Sequence, residues 1–255
     1  SWLIIFALVT WSLGSSFGEL HGDWSAAVVW GTALAAVVLL FCSVLAHEMA
    51  HSLFARSRGV PVRVITLFLF GGVSNIEKEP DSPRSEFVMA ILGPLTSLVI
   101  GVALLLIASF MVPTTPEAFR NPMEIAQGMS PLATIFVWLG SVNVILAVFN
   151  LMPGFPLDGG RVLRSILWAL TGSLVRATRY ASFAGQMVAW LLIIMGISMV
   201  FGIRYPFFGA GIHGLWFAFI GCPFHQHPVD ALLHGRQGAE AVGVQDHGQD
   251  HDDDR

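Results

Sequence analysis

The sequence has little charge. Asp, Glu, Lys and Arg make up 12% of its 255 residues, against 55% hydrophobic ones, and the mean hydropathy is +0.70. Soluble domains carry about 25% charged residues, so the composition excludes an ordinary soluble domain and points to a polytopic membrane protein. There is one lysine and no basic stripe, which excludes a nucleic-acid-binding surface. There are two cysteines, Cys42 and Cys222, both in apolar runs. They cannot make a disulfide framework or a Cys-x-x-Cys metal site, and both read as small buried hydrophobes. No methionine opens the chain. It begins at Ser1 already inside an apolar run, as a trimmed piece of a longer protein does, and nothing there reads as a cleavable signal peptide. No internal repeat is evident.

What is present is a series of long apolar runs. Spanning about 30 Å of hydrocarbon takes about 20 helical residues, and six runs qualify: 2–18, about 26–55, about 86–112, about 131–152, about 178–201 and about 207–222. A shorter helix is expected at about 159–171. Between the second and third runs, residues 60–80 are rich in β-branched and aromatic residues around Gly71 and Gly72. They read as two short strands with a Gly-Gly turn or bulge. The fold class is therefore all-α and polytopic, about six spans with one small β-hairpin. Residues 1–222 form the membrane-embedded domain. Residues 223–255 turn polar and rich in His and Asp, and read as a solvated, disordered tail. The formal net charge of −4 comes from that end: Glu240, Asp246, Asp250, Asp252, Asp253 and Asp254 are six of the seventeen acids.

Basic residues give the orientation. With the amino terminus in the cytoplasm, the inside loops hold Arg56, Arg58, Arg63, Lys78, Arg84, Arg161, Arg164, Arg176 and Arg179, and the outside loops hold Arg120 and Arg204. Nine against two meets the positive-inside rule, and the reverse orientation violates it. Both termini are then cytoplasmic.

The second run ends in "HEMAH". His47 and His51, four apart, share one helix face and at that spacing can grip one zinc ion. Glu48 can reach a metal-bound water as general base. Three such side chains in a hydrophobic helix are costly unless they have a function. A catalytic zinc takes a third protein ligand. Candidates at membrane depth are few. Asp158, in "FNLMPGFPLDGGRVLR", follows a run broken by Pro153 and Pro156 and precedes Gly159 and Gly160. It reads equally as a ligand and as the N-cap of the short helix. His213 is a weaker competitor.

HEMAH followed by "NLMPGFPLDG" resembles the site-2 protease family of intramembrane zinc metalloproteases. That family's second motif, N-x-x-P-x-x-x-x-D-G, is matched by Asn150, Pro153, Asp158 and Gly159. The resemblance covers roughly residues 1–222 and includes "FGGVSNIEKEP" and "AILGPLTS". It implies one zinc ion held by His47, His51 and Asp158, with Glu48 as catalytic base. Asn150 and the Gly71–Gly72 strand segment are implied contacts for substrate. The activity implied is hydrolysis of peptide bonds in or near transmembrane segments of membrane-anchored proteins, in a prokaryotic cytoplasmic membrane with the site toward the cytoplasm. Some members carry a pair of nucleotide-sensing modules after the last span, and the segment 222–255 is too short and polar for that pair. Two other readings stay open: a membrane metal transporter, which would not need Glu48 between the histidines, and a catalytically dead relative that only binds membrane partners.

Overall fold

The computed structural model describes residues 2–59, 62–68, 71–76, 82–112, 122–155, 157–205 and 215. The chain divides into two units, Ser1–Leu151 and Met152–Arg255.

The first unit holds α1 (Trp2–Leu20), α2 (Ala26–Ser57), β1 (Val62–Phe68), β2 (Gly71–Ile76), α3 (Pro83–Met111), α4 (Pro122–Gln127) and α5 (Pro131–Asn150). Serines begin the long helices. Ser25, Ser82 and Ser130 each accept the backbone N–H three residues on, from Val28, Ser85 and Ala133, which satisfies a donor that the first helical turn leaves orphaned. Pro83 and Pro131 occupy the first helical position, where a missing N–H costs nothing. The end of α2 is followed by Gly59 at φ +74°, the left-handed geometry that glycine adopts without a Cβ penalty.

Helices α1, α2, α3 and α5, with α7 of the second unit (below), are long and apolar enough to cross a membrane. Their outward surfaces are apolar: Leu8 and Trp11 on α1, Leu106 and Phe110 on α3, and Ile145 and Val148 on α5 are exposed. In water such surface would be a large unpartnered patch; in lipid it is the required one. This is an integral membrane protein. Cys42, expected to be buried, is exposed on α2. On a spanning helix the outer face meets lipid, where a weakly polar thiol is as well accommodated as in a core.

Small residues and short polar bonds hold the first unit together. A Cβ on Gly101 of α3 would stand 2.8 Å from the carbonyl oxygen of Gly140 on α5, and one on Gly140 would stand 3.0 Å from the carbonyl oxygen of Gly101. The two backbones therefore cross in direct contact, the packing that membrane helices use in place of a hydrophobic drive. His21, just after α1, is buried. Its ring stacks on Trp24 at 3.8 Å, its Nδ1 donates to the Gln127 carbonyl at 3.0 Å, and its Nε2 accepts from the Thr134 hydroxyl at 3.2 Å. That histidine is a structural tie between the α1–α2 and α4–α5 turns.

The hairpin expected between the second and third runs is present as two antiparallel strands. The register pairs Thr66 with Val73, Leu67 with Gly72 and Phe68 with Gly71, with an irregularity between Val62 and Ile65. The glycines are thus not the turn. They lie in the ladder at the start of β2.

The second unit holds α6 (Asp158–Thr171) and α7 (Leu174–Val200). They are joined by Gly172, at φ +64°, and by Ser173, which accepts the Arg176 N–H. At 1.5 Å per residue α6 is about 21 Å long, too short to span, whereas α7 qualifies. The sixth run, 207–222, and the tail 223–255 lie outside the described residues except Leu215, as does His213.

Candidate metal centre

The face of α2 that turns inward carries Val29, Ala33, Ala36, Val37, Ser43, His47, Glu48, His51, Ser52 and Ala55. These positions repeat at three and four residues, so a single stripe of the helix is buried. The sequence brings His47 and His51 onto that stripe, one turn apart. Their ring centroids are 5.1 Å apart and the planes are inclined at 75°. His47 is 3% exposed, His51 4% and Glu48 7%. Burying three ionisable groups in a membrane helix is unfavourable unless they are bonded or used.

Helix α3 supplies the bonds. The Nδ1 of His51 lies 2.6 Å from the carbonyl oxygen of Met89. A carbonyl only accepts, so Nδ1 carries the proton, and in the neutral ring Nε2 presents a lone pair. The Nδ1 of His47 lies 2.9 Å from the hydroxyl of Ser97, itself fully buried. Both rings are therefore anchored at Nδ1, with Nε2 turned away from the anchor, an arrangement compatible with metal-bound histidines.

Between those anchors on α3 lies Gly93. A Cβ built there would fall 2.7 Å from Nε2 of His47 and 2.6 Å from Cε1 of His51, and would clash with Nε2 of His51. The glycine leaves open the space in front of the two Nε2 atoms, and a side chain of even one carbon would fill it. Met89, Gly93 and Ser97 are spaced by four and form one stripe of α3. None of the three was singled out from sequence. The usable signal was "MAILGPLTS" itself, with a glycine four residues from a buried serine in an otherwise apolar span.

In the second unit, Asp158 is the first residue of α6 and is partly buried. The N-cap position belongs to Leu157, with no side-chain capping bond. Asp158 is thus not the N-cap, one of the two readings left open by its sequence. The residues before it form a tight loop. The N–H of Gly154 donates to the carbonyl of Met152 at 2.8 Å, and that of Leu157 to the carbonyl of Gly154 at 3.0 Å. A Cβ on Gly160 would meet the backbone of Gly154 at 2.6 Å, and one on Gly185 of α7 would meet Gly154 Cα at 3.0 Å. The guanidinium of Arg164 covers the Phe155 ring at 5.6 Å. The loop is locked against α6 and α7, which fixes where Asp158 begins its helix. Asn150 ends α5 and donates its Nδ2 to the carbonyl of Leu146 at 3.0 Å.

Each of His47, His51 and Asp158 offers one donor atom of a kind that a metal ion takes. Two imidazoles and a carboxylate are a donor set that catalytic zinc takes, and the space kept open by Gly93 fits an ion on the histidine side.

The same elements are found in known proteins. The model of Peptidase family M50 matches residues 35–132 and 110–195. The chain is 41% identical over 199 residues to sll0528 of Synechocystis sp., which carries a zinc metalloprotease name; the match covers 77% of this chain and 48% of that protein. It is 38% identical over 219 residues to Rip3 of Mycobacterium tuberculosis, likewise named a zinc metalloprotease, covering 86% of this chain and 51% of Rip3. The chain thus spans about half the length of these curated relatives. The solved site-2 protease from Methanocaldococcus jannaschii superposes with a TM-score of 0.52 at 27% identity, covering 87% of this chain and 88% of that one. Since the family model runs through the histidine-bearing helix, the α3 stripe that anchors it and the aspartate-led helix alike, the chain belongs to peptidase family M50.

Proposed function

We propose that this chain is the catalytic part of an intramembrane zinc metalloprotease that hydrolyses peptide bonds in or near transmembrane segments of membrane-anchored substrates. The observation that carries the reading is the pair of buried histidines, each tied at Nδ1 by α3, with Glu48 beside them. In this reading His47, His51 and Asp158 hold one zinc ion. Zinc, when bound, supplies Lewis acidity, lowering the pKa of water and polarising a carbonyl. Glu48 takes a proton from the attacking water and returns it to the leaving nitrogen as the peptide bond breaks. The working domain lies within residues 1–222.

In this reading the position of the site gives water a route to it from one side. At 1.5 Å per residue, His47 lies about 32 Å along α2 from Ala26, comparable to the hydrocarbon thickness. Arg56 and Arg58 follow within three turns, at the end assigned to the cytoplasm by the positive-inside rule. The site is then shallow and wetted from the cytoplasmic side. A metal transporter would not require Glu48 between the ligands, and a dead relative would not require this intact set.

Substrate helices hide their peptide bonds and must be unwound locally. Among the described residues the sheet has two strands, so each has an edge toward which an extended substrate can pair by strand addition. Gly71 and Gly72 would allow close backbone approach, and Asn150 would contact the substrate or order the site. Thr66→Pro or Phe68→Pro removes a backbone donor from β1. Cleavage of a single-span substrate should slow while zinc content holds, and a wild-type rate in both variants would dismiss strand pairing.

The direct test of the ligand set is zinc retention by purified protein in detergent. Asp158→Ala should lose more affinity than the roughly 10–100-fold that loss of a ligand's hydrogen-bond partner costs. Full zinc occupancy in that variant under chelator challenge would remove Asp158 from the site.

A further inference from the structure

The mechanism above uses α3 only as scaffold, yet its buried stripe bonds to both histidines. We propose that Ser97 is a positioning residue for the metal: its hydroxyl accepts the Nδ1 proton of His47 and so fixes both the tautomer and the rotation of that ring. The inference rests on the reading that His47 binds zinc through Nε2.

The argument is one of inventory. Neutral imidazole carries one proton, and Nε2 is free to coordinate only when that proton sits on Nδ1. For His51 the Met89 carbonyl enforces this, since it can only accept. No mutation of a side chain can remove that carbonyl. For His47 the corresponding acceptor is a side chain, the Ser97 hydroxyl at 2.9 Å. Ser97 has no exposed surface, so water cannot take over its role without rearrangement. His47 is therefore the ligand with an Nδ1 anchor that a single substitution can remove. The residue pair is separated by 50 positions, and nothing in the histidine motif itself specifies the partner.

The experiment compares wild type, Ser97→Ala, Ser97→Thr and His47→Ala, purified full length in detergent. Zinc affinity is measured by chelator competition, and the visible spectrum is recorded after loading with cobalt(II). Ser97→Ala should bind zinc about 10–100-fold more weakly and show an altered cobalt spectrum. Ser97→Thr keeps a hydroxyl and should stay near wild type. Ser97→Ala with wild-type affinity and spectrum would overturn the proposal, and so would Ser97→Thr weakened as much as Ser97→Ala. Should Ser97→Ala fail to fold, Ser97→Thr against His47→Ala decides: affinity near wild type supports the role, and affinity as low as that of His47→Ala rejects it. A wild type that takes up no zinc, or a His47→Ala variant that binds it equally well, would refute the underlying metal reading instead.

Discussion

Glu48→Gln should leave zinc in place and stop proteolysis. The substitution keeps the size of the side chain but removes its ability to accept and return a proton. Glu48 is buried beside the histidine pair on the same stripe of α2, yet in the proposed mechanism it is not a ligand. General acid–base catalysis is worth typically about 10²–10⁴-fold, so cleavage of a co-expressed single-span substrate should fall by at least about 10². Metal content measured on the same preparation should not change. The pairing of the two measurements separates the roles. Lost activity with lost zinc would make Glu48 a ligand or a structural residue, and full proteolysis with zinc retained would remove it from the mechanism.

The second large effect is expected from a single methyl group. Gly93→Ala places a Cβ 2.7 Å from Nε2 of His47 and against the Nε2 edge of His51. A flexible neighbour could swing aside, but these rings cannot do so freely. Each is bonded at Nδ1 to the helix that carries the new methyl, through Ser97 and the Met89 carbonyl. Overpacking of this kind costs about 1–3 kcal/mol. Taken from metal binding at 1.4 kcal/mol per decade, that is roughly a 5- to 150-fold loss of zinc affinity. Helix propensity acts in the opposite direction, since alanine favours a helix interior over glycine by about 1 kcal/mol. The metal-free variant bears the same clash, only partly offset by that gain, so it should melt at or modestly below the wild-type temperature while its zinc affinity drops. Chelator competition and thermal melting of the apo protein check the two halves, and a Gly93→Ala protein that binds zinc as tightly as wild type would show that Gly93 does not guard the site.

Much of the fold was legible because membrane spans announce themselves locally. Twenty apolar residues in a row define a span regardless of what they pack against, and four of the expected runs appear as α1, α2, α3 and α5, with α7 beginning four residues earlier than its run. Helix starts were less legible. The third run was placed at 86, but Ser82 and Pro83 begin α3 earlier, because capping chemistry rather than hydropathy sets a helix boundary. The six-residue α4 carried no span-length signal and was missed. The Gly71–Gly72 pair was misplaced for a related reason. Glycine marks permissive backbone, and only the strand register tells whether that freedom serves a turn or a ladder. Cys42 was misjudged because burial by lipid and burial by protein look alike in a hydropathy pattern.

The residues of the candidate site divide the same way. His47, Glu48 and His51 were named from spacing alone, since an i, i+4 pair is a local property of one helix, and Asp158 was named by its motif. Composition and periodicity by themselves determined that this protein lives in a membrane, where its long helices fall and that His47, Glu48 and His51 share one stretch of helix, because each of those follows from neighbours close in sequence. Only the tertiary structure decided which nitrogen of each histidine is tied and which is presented, and that a glycine stands in front of them. Those facts depend on α3 meeting α2 across 38 and 50 residues of sequence, a pairing set by helix packing and carried by no local pattern.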